Sequence, residues 1–299
     1  MWMIHKVSEF FSNRAGRSSK PHPPLPLLNK PWRQIDWRDK QESLQYVNDY
    51  KPFDEDQQLR ILLCGQCGAG KSSFINSVQS VLRGRMCRQA LAANICDDSF
   101  TKKKKTYKIE KDSPDIFYPF VFNDVMGFNK ILVEDLKMSL QGRVKDSYMF
   151  NPVSKLSEGD EHFNKTPTDN DKVHVLVCVV AADTLSTMSD EVLMKFKELR
   201  EEASHLDVPQ IAILTKVDAA CAEVKNDLRN IYRSRYLKQL MERLSAAVGI
   251  SMDCIFLVKN YHEEIDLNDD IDLLILSALK HILYSGEDFV KMKLQTSIE

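Results

Sequence analysis

What is missing from these 299 residues narrows the field before any motif is read. No apolar run approaches the ~18 residues a membrane-spanning helix needs, so no transmembrane segment is expected. The opening MWMIHKVSEFF has too little apolar length for a secretory signal; it reads as a fraying or locally packed end, with a short amphipathic helix on a membrane or partner as the alternative. The seven cysteines include one C-x-x-C spacing, Cys64-Gly65-Gln66-Cys67, which runs from an apolar strand-like stretch into a glycine-rich loop; with no second pair and no paired Cys/His spacing it makes no zinc-site pattern. Cys64, Cys178 and Cys254 sit inside apolar, strand-like runs, where a thiol behaves as a small hydrophobe, and reduced thiols in a cytoplasmic protein are the expectation. There is no G-x-S-x-G and no H-E-x-x-H, and the seven histidines are scattered. A net charge of −2 removes the electrostatic case for a nucleic-acid or membrane-surface protein. What remains, with 43% hydrophobic and 28% charged residues, is an ordinary globular composition able to bury a core.

Residues 1–31 read as a proline-rich, flexible leader, because SKPHPPLPLLNKP opposes both helix and sheet. The Pro23-x-x-Pro26 spacing reads as a semi-rigid linker, with an SH3 ligand as the alternative. A helical lead-in over 32–58 follows, with Trp32 and Trp37 near its start and Leu44, Tyr46 and Val47 placed to dock on the main domain. From residue 59 strands and helices alternate. LRILLC (59–64), VHVLVCVVA (173–181) and PQIAILT (209–215) are nearly all apolar, as strands buried on both faces must be. TYKIE (106–110), IFYPFVF (116–122) and CIFLV (254–258) complete six strands. Helices are expected over 72–82, after the N-cap Ser189, over about 224–248, and over DDIDLLILSALKHILYSG with Gly286 as the stop. This alternation predicts an α/β fold: a mostly parallel six-stranded sheet covered by helices on both faces, spanning 59–286, with a tail at 287–299. The stretch 141–172 breaks the rhythm; polar, proline-containing and long, it reads as an insert that carries partner contacts.

Gly65-x-x-x-x-Gly70-Lys71-Ser72 follows a buried strand and opens a helix, the context a phosphate-binding loop requires. Backbone N–H groups from Gly65 through Cys67, Gly68, Ala69, Gly70 and Ser73 would surround phosphate oxygens at a helix N-terminus. Lys71 would reach the β- and γ-phosphates, and the Ser72 hydroxyl would ligate Mg²⁺. FVFNDVMGF supplies the next element: Asp124, at a strand end, faces the Mg²⁺ shell, and the Gly127 N–H can meet a γ-phosphate. Thr215-Lys216-Val217-Asp218 decides the base. The Asp218 carboxylate can accept from both guanine donors, a pair adenine lacks; the alternative is a helix N-cap after a strand. The Lys216 stem would lie along the base. Thr215 stands where Asn is commoner and offers a shorter hydroxyl. Lys259 and Asn260, in the last strand-to-loop position, are placed near the base by order alone. The mobile threonine of the Mg²⁺ shell falls at Thr101 or Thr106, with Thr101 preferred; the lysines at 102–105 between them read as a solvated loop. The residue after D-x-x-G, a water-orienting Gln in small GTPases, is Phe128 here, which can neither accept from nor donate to water.

On GQCGAGKSSFINSVQSVLRG, FVFNDVMGF, ILTKVDAAC and IFLVKNYHEEIDL, with PWRQIDW ahead of them and LLILSALKHIL after, the chain resembles the interferon-induced protein 44 family from about residue 31 to 289. The resemblance implies a P-loop NTPase with a Ras-like G domain, GTP or GDP and Mg²⁺ as ligands, a cytoplasmic setting, and an interferon-inducible antiviral role. A second resemblance, to the immunity-related GTPases, rests on the GAGKSSFIN-like loop, the TKVD and the missing Gln. Those proteins wrap a sizeable helical domain around the GTPase, for which the residues after the last helix leave little room. Two functions stand at this point: a slow GTPase acting through a nucleotide-dependent homodimer or a partner, and a scaffold that holds nucleotide without cutting it.

Overall fold

The computed structural model describes residues 26–54, 56–90, 103–111, 113, 115–125 and 127–296. Six strands form one sheet in the order β2-β3-β1-β4-β5-β6. They are β1 (Leu59–Cys64), β2 (Lys105–Glu110), β3 (Phe117–Asp124), β4 (Val175–Ala181), β5 (Gln210–Thr215) and β6 (Ile255–Leu257). All pairings are parallel except β2 with β3. This is the mostly parallel six-stranded α/β sheet that the alternation predicts. β4 is buried at every position because both of its faces are covered.

The helices are α1 (Lys40–Asp49), α2 (Lys71–Arg83), α3 (Val133–Leu140), α4 (Asp190–His205), the short α5 (Val217–Ala220) and α6 (Ala222–Asn226), α7 (Arg235–Val248) and α8 (Asp269–Thr296). On one face of the sheet, Leu59, Ile61 and Leu63 pack with Phe74 and Val78 of α2 and Ile275 and Leu279 of α8. On the other, Leu62, Cys64, Leu176 and Cys178 pack under α3, α4 and α7. The alternation along each strand divides the two cores. α1 docks on α8, where Lys40 bridges Asp269 and the buried Asp272, both at 2.7 Å.

Four expectations change. The segment read as one helix over about 224–248 is broken, because Asp227 accepts from the Arg229 N–H at 3.0 Å and Ser234 from the Leu237 N–H at 3.2 Å, so each caps a new start. The leader falls mostly on residues 1–25, outside the described ones, but its end is pinned: the Leu28 N–H donates to Arg233 O at 2.8 Å, and the Arg33 guanidinium donates to Ile255 O at 2.6 Å along the β6 edge. The stretch 141–172 is partly core, since Val144, Tyr148, Phe150, Leu156 and Phe163 are buried. There the buried Asp135 of α3 accepts from Leu156 N at 2.8 Å and Tyr148 Oη at 3.2 Å.

Finally, Gly286 does not stop a helix. α8 runs through it to Thr296, so residues 287–296 continue the last helix. A Cβ at Gly286 would lie 2.6 Å from Leu59 Cδ1 and 2.9 Å from Val175 Cγ2, so glycine there lets α8 press onto the sheet. Gly286→Val is expected to destabilise the protein by about 2–3 kcal/mol, read from urea unfolding, as overpacking in a filled core does. A neutral result would mean that α8 is loosely seated.

Candidate nucleotide-binding site

The site is built at the carboxyl ends of the central strands. β1 ends in buried Cys64, and the chain then turns so tightly over β4 that a Cβ on Gly65 would stand 2.1 Å from Val179 O. Gln66, Cys67, Gly68, Ala69 and Gly70 complete the loop, and α2 begins at Lys71 with its first N–H groups facing it. Phe74 N–H donates to Gly70 O at 2.8 Å, which closes the first helical turn behind Ser72 and Ser73.

Lys71 lies buried, its ammonium donating to Gly65 O and Gln66 O, both at 3.1 Å. Burial lowers its pKa, and the Asp124 charge opposes that shift. The register that sets Leu63 against Asp124 places that carboxylate beside the loop. Ser72 Oγ donates to Asp124 Oδ2 at 2.6 Å, so the two predicted Mg²⁺ ligands, over 50 residues apart in sequence, converge.

Gly127 is buried behind Asp124 and extended. Phe128 is the informative residue. Its ring is fully buried, edge-on to Phe196 of α4 with centroids 4.5 Å apart. Its N–H donates to Gly65 O at 3.1 Å, and Lys195 Nζ donates to its carbonyl at 2.8 Å. The side chain that replaces a water-orienting Gln is thus turned into the core.

At the end of β5, Thr215 is buried and its hydroxyl donates to Ala69 O at 2.6 Å. The short side chain is therefore a tie between the β5 end and the phosphate loop. Lys216 adopts a left-handed φ of 55°, which turns the chain so that Asp218 sits half-buried in the first turn of α5. Asn260 Nδ2 donates to Gly70 O at 3.1 Å, and Tyr261 N–H to Ser77 Oγ at 3.0 Å, so the loop after β6 is fastened to the phosphate loop and α2. Lys259 Nζ lies 3.9 Å from Asp218 Oδ2 and 2.7 Å from Glu264 Oε1. Sequence reasoning missed Glu264. Burial alone would raise its pKa, but the Lys259 ammonium and the N–H groups of its own turn hold it at about 2. The signal was present as an acidic pair closely following a lysine in KNYHEE.

The structure thus brings together Gly65, Cys67, Gly68, Ala69, Gly70, Lys71, Ser72, Ser73, Asp124, Gly127, Thr215, Lys216, Asp218, Lys259 and Asn260 around one loop. Thr101 lies outside the described residues. Thr106, the alternative, is a strand residue whose Oγ1 accepts from Asn123 Nδ2 at 2.9 Å, which removes it as a mobile ligand. The lysine run is not wholly a solvated loop: Lys103 and Lys105 are exposed, but Lys104, just before β2, is buried and donates to Val144 O of the overlying segment.

The donor set suits a nucleotide and Mg²⁺. A hydroxyl and a carboxylate meet at the helix start, a buried ammonium curls over the loop, and Asn260 Oδ1 is buried with no hydrogen-bond partner among the described residues. Sheet order, loop and motif order together define a P-loop protein with a G-domain architecture. No protein-family model matches the chain. It is 35% identical over 254 residues to interferon-induced protein 44 of Mus musculus, covering 83% of this chain and 60% of that one. To interferon-induced protein 44 of Homo sapiens it is 32% identical over 253 residues, covering 83% and 57%. The human interferon-induced protein 44-like is 29% identical, with 82% and 55% covered. The chain belongs to the interferon-induced protein 44 family, and spans somewhat over half the length of these relatives. Among solved structures, Toc33 of Arabidopsis thaliana in complex with Mg²⁺ and GMPPNP aligns over 85% of this chain and 97% of its own at 13% identity, with a TM-score of 0.47. At that similarity the likeness is one of overall arrangement.

Proposed function

We propose that this chain is a guanine-nucleotide-binding domain that holds GTP or GDP with Mg²⁺ and turns it over slowly. The observation that carries the reading is the convergence of Lys71, Ser72 and Asp124 at one end of the loop with Asp218, Lys259 and Asn260 at the other. Lys71 would exchange its two carbonyl acceptors for phosphate oxygens. Ser72 and Asp124 would hold Mg²⁺, which neutralises phosphate charge when bound. Asp218 would accept from the guanine, with Glu264 holding Lys259 alongside it. In a titration, GTP and GDP are expected to bind at least about a hundredfold more tightly than ATP, and Asp218→Ala to erase most of that preference. Equal affinity for ATP would overturn the assignment of the base.

The burial of Phe128 favours retention over hydrolysis, which keeps the non-hydrolysing scaffold as the second reading. Phe128→Gln is expected to cost about 3–5 kcal/mol of stability by placing an amide in an apolar pocket, without raising the hydrolysis rate. Denaturation and phosphate release measured on the same variant check both halves. Single-turnover hydrolysis across protein concentrations separates the two functions. A rate that climbs with concentration supports a nucleotide-dependent homodimer, and bound GTP that persists at every concentration supports the scaffold. The relatives' name supports an interferon-induced setting; an antiviral role in the cytoplasm is part of the same proposal.

A further inference from the structure

The sheet is polar at its β2 edge, on the face that residues 141–172 cover. Arg60 Nη1 meets Asn123 Oδ1 at 3.4 Å there, and Asn123 bonds Thr106. Between this face and the overlying segment lies a cavity of about 690 Å³, lined by Arg60, Lys104, Lys105, Lys108 and Lys145, with no phosphate-loop residue among its walls. Of its carboxylates only Glu110 is ion-paired among the described residues; Asp146 and Asp171 bond neutral donors and keep their charge, which offsets part of the five cations and leaves the lining net positive. Glu110 pairs with Arg83, Asp146 accepts from Thr106 N–H at 2.6 Å, and Asp171 accepts from Thr168 N at 2.9 Å and Thr168 Oγ1 at 2.8 Å.

The two innermost cations make no ion pair among the described residues, although the Asp146 and Asp171 charges act on both. Lys104 is buried and gives its hydrogen bond to a carbonyl, Val144 O. Arg60 donates to Asn170 O at 2.9 Å and to the Asn123 amide, both neutral. Burial, followed by the Arg60 charge, brings the Lys104 pKa down to about 8, and burial lowers that of Arg60 despite Asp171 and Asp146. Two cations held side by side against neutral acceptors are costly if their task is to pin a loop, since neutral donors make the same bonds. The cost is offset if an anion enters. A planar guanidinium flanked by ammonium groups suits phosphate oxygens in particular.

We infer that this cavity binds a small polyanion with clustered phosphate groups, at a site separate from the nucleotide loop. The test uses the full chain with GDP and Mg²⁺ present and inositol hexakisphosphate as the soluble probe, followed by calorimetry. Wild type and Lys71→Ala are expected to bind it equally. Lys108→Gln, a surface change, is expected to weaken binding about three- to tenfold, and Arg60→Gln by more than about tenfold. The control Lys51→Gln, outside the cavity, is expected to change nothing. Binding lost in Lys71→Ala but intact in Lys108→Gln would reassign it to the nucleotide loop and overturn the inference. So would equal weakening by Lys51→Gln, or no binding at all. Phosphatidylcholine vesicles carrying a minor share of phosphatidylinositol bisphosphate separate the sources. Vesicle binding that Lys108→Gln weakens identifies a lipid headgroup, and binding of the soluble probe alone identifies a free polyphosphate. Because Lys71 and Lys108 lie in different sites, failure here leaves the guanine-nucleotide reading standing.

Discussion

Lys71→Ala is expected to abolish measurable guanine-nucleotide binding while leaving the fold about as stable as before. The two effects separate because the ammonium is buried and desolvated, held by two carbonyl oxygens at 3.1 Å. Burial lowers its pKa while the Asp124 charge raises it, so removing the ammonium trades a relieved desolvation cost against two hydrogen bonds and the Asp124 attraction. Toward phosphate the balance is one-sided. Charge-assisted hydrogen bonds are worth about 1.5–3 kcal/mol each, so losing two weakens binding on the order of a hundred- to a thousandfold or more. Titration with fluorescent GDP reads the first effect, and a thermal melt without nucleotide reads the second, with a change within about 1 kcal/mol. Binding within a few-fold of wild type would mean that the loop does not hold phosphates. A collapsed melt would mean that Lys71 is structural.

Gly65→Ala is expected to fail in the opposite way, by losing the fold and the site together. The added Cβ would meet Val179 O at 2.1 Å, a backbone atom of a central strand that cannot rotate aside, at a φ of +151° that side chains avoid. The loop or β4 must shift, and a loss of about 3–5 kcal/mol in urea unfolding is expected, with nucleotide affinity falling alongside. Gly84 supplies the control. It also has positive φ, at 63°, but a Cβ there meets nothing within 4 Å. Gly84→Ala should therefore cost only about 1–2 kcal/mol and leave binding unchanged. If both glycines behave alike, the close crossing over β4 is not what demands glycine at the loop.

Much of the fold was legible because parallel strands buried on both faces must be apolar at nearly every position. LRILLC, VHVLVCVVA and PQIAILT are therefore recognisable without neighbours. The phosphate loop was legible for a related reason: its glycines, lysine and serine act through their own backbone and immediate context. Legibility ended where a residue's role depends on what another segment places against it. Gly286 looks like a helix stop until Leu59 and Val175 are seen beneath it. Lys104 looks solvated until Val144 covers it. Glu264 looks like a surface acid until Lys259 reaches it at 2.7 Å.

By itself the sequence determined the alternation that makes the sheet, the order of the G-x-x-x-x-G-K-S, D-x-x-G and T-K-x-D motifs along the chain, and the phenylalanine after D-x-x-G. Local periodicity and local donor geometry are enough for these. Tertiary structure alone decided that Phe128 packs against Phe196 in the core, that Thr215 ties the end of β5 to the glycine-rich loop, and that Arg60 and Lys104 share a cavity. Each joins residues dozens to well over a hundred positions apart, and burial and electrostatic pairing depend on spatial distance, which periodicity does not encode.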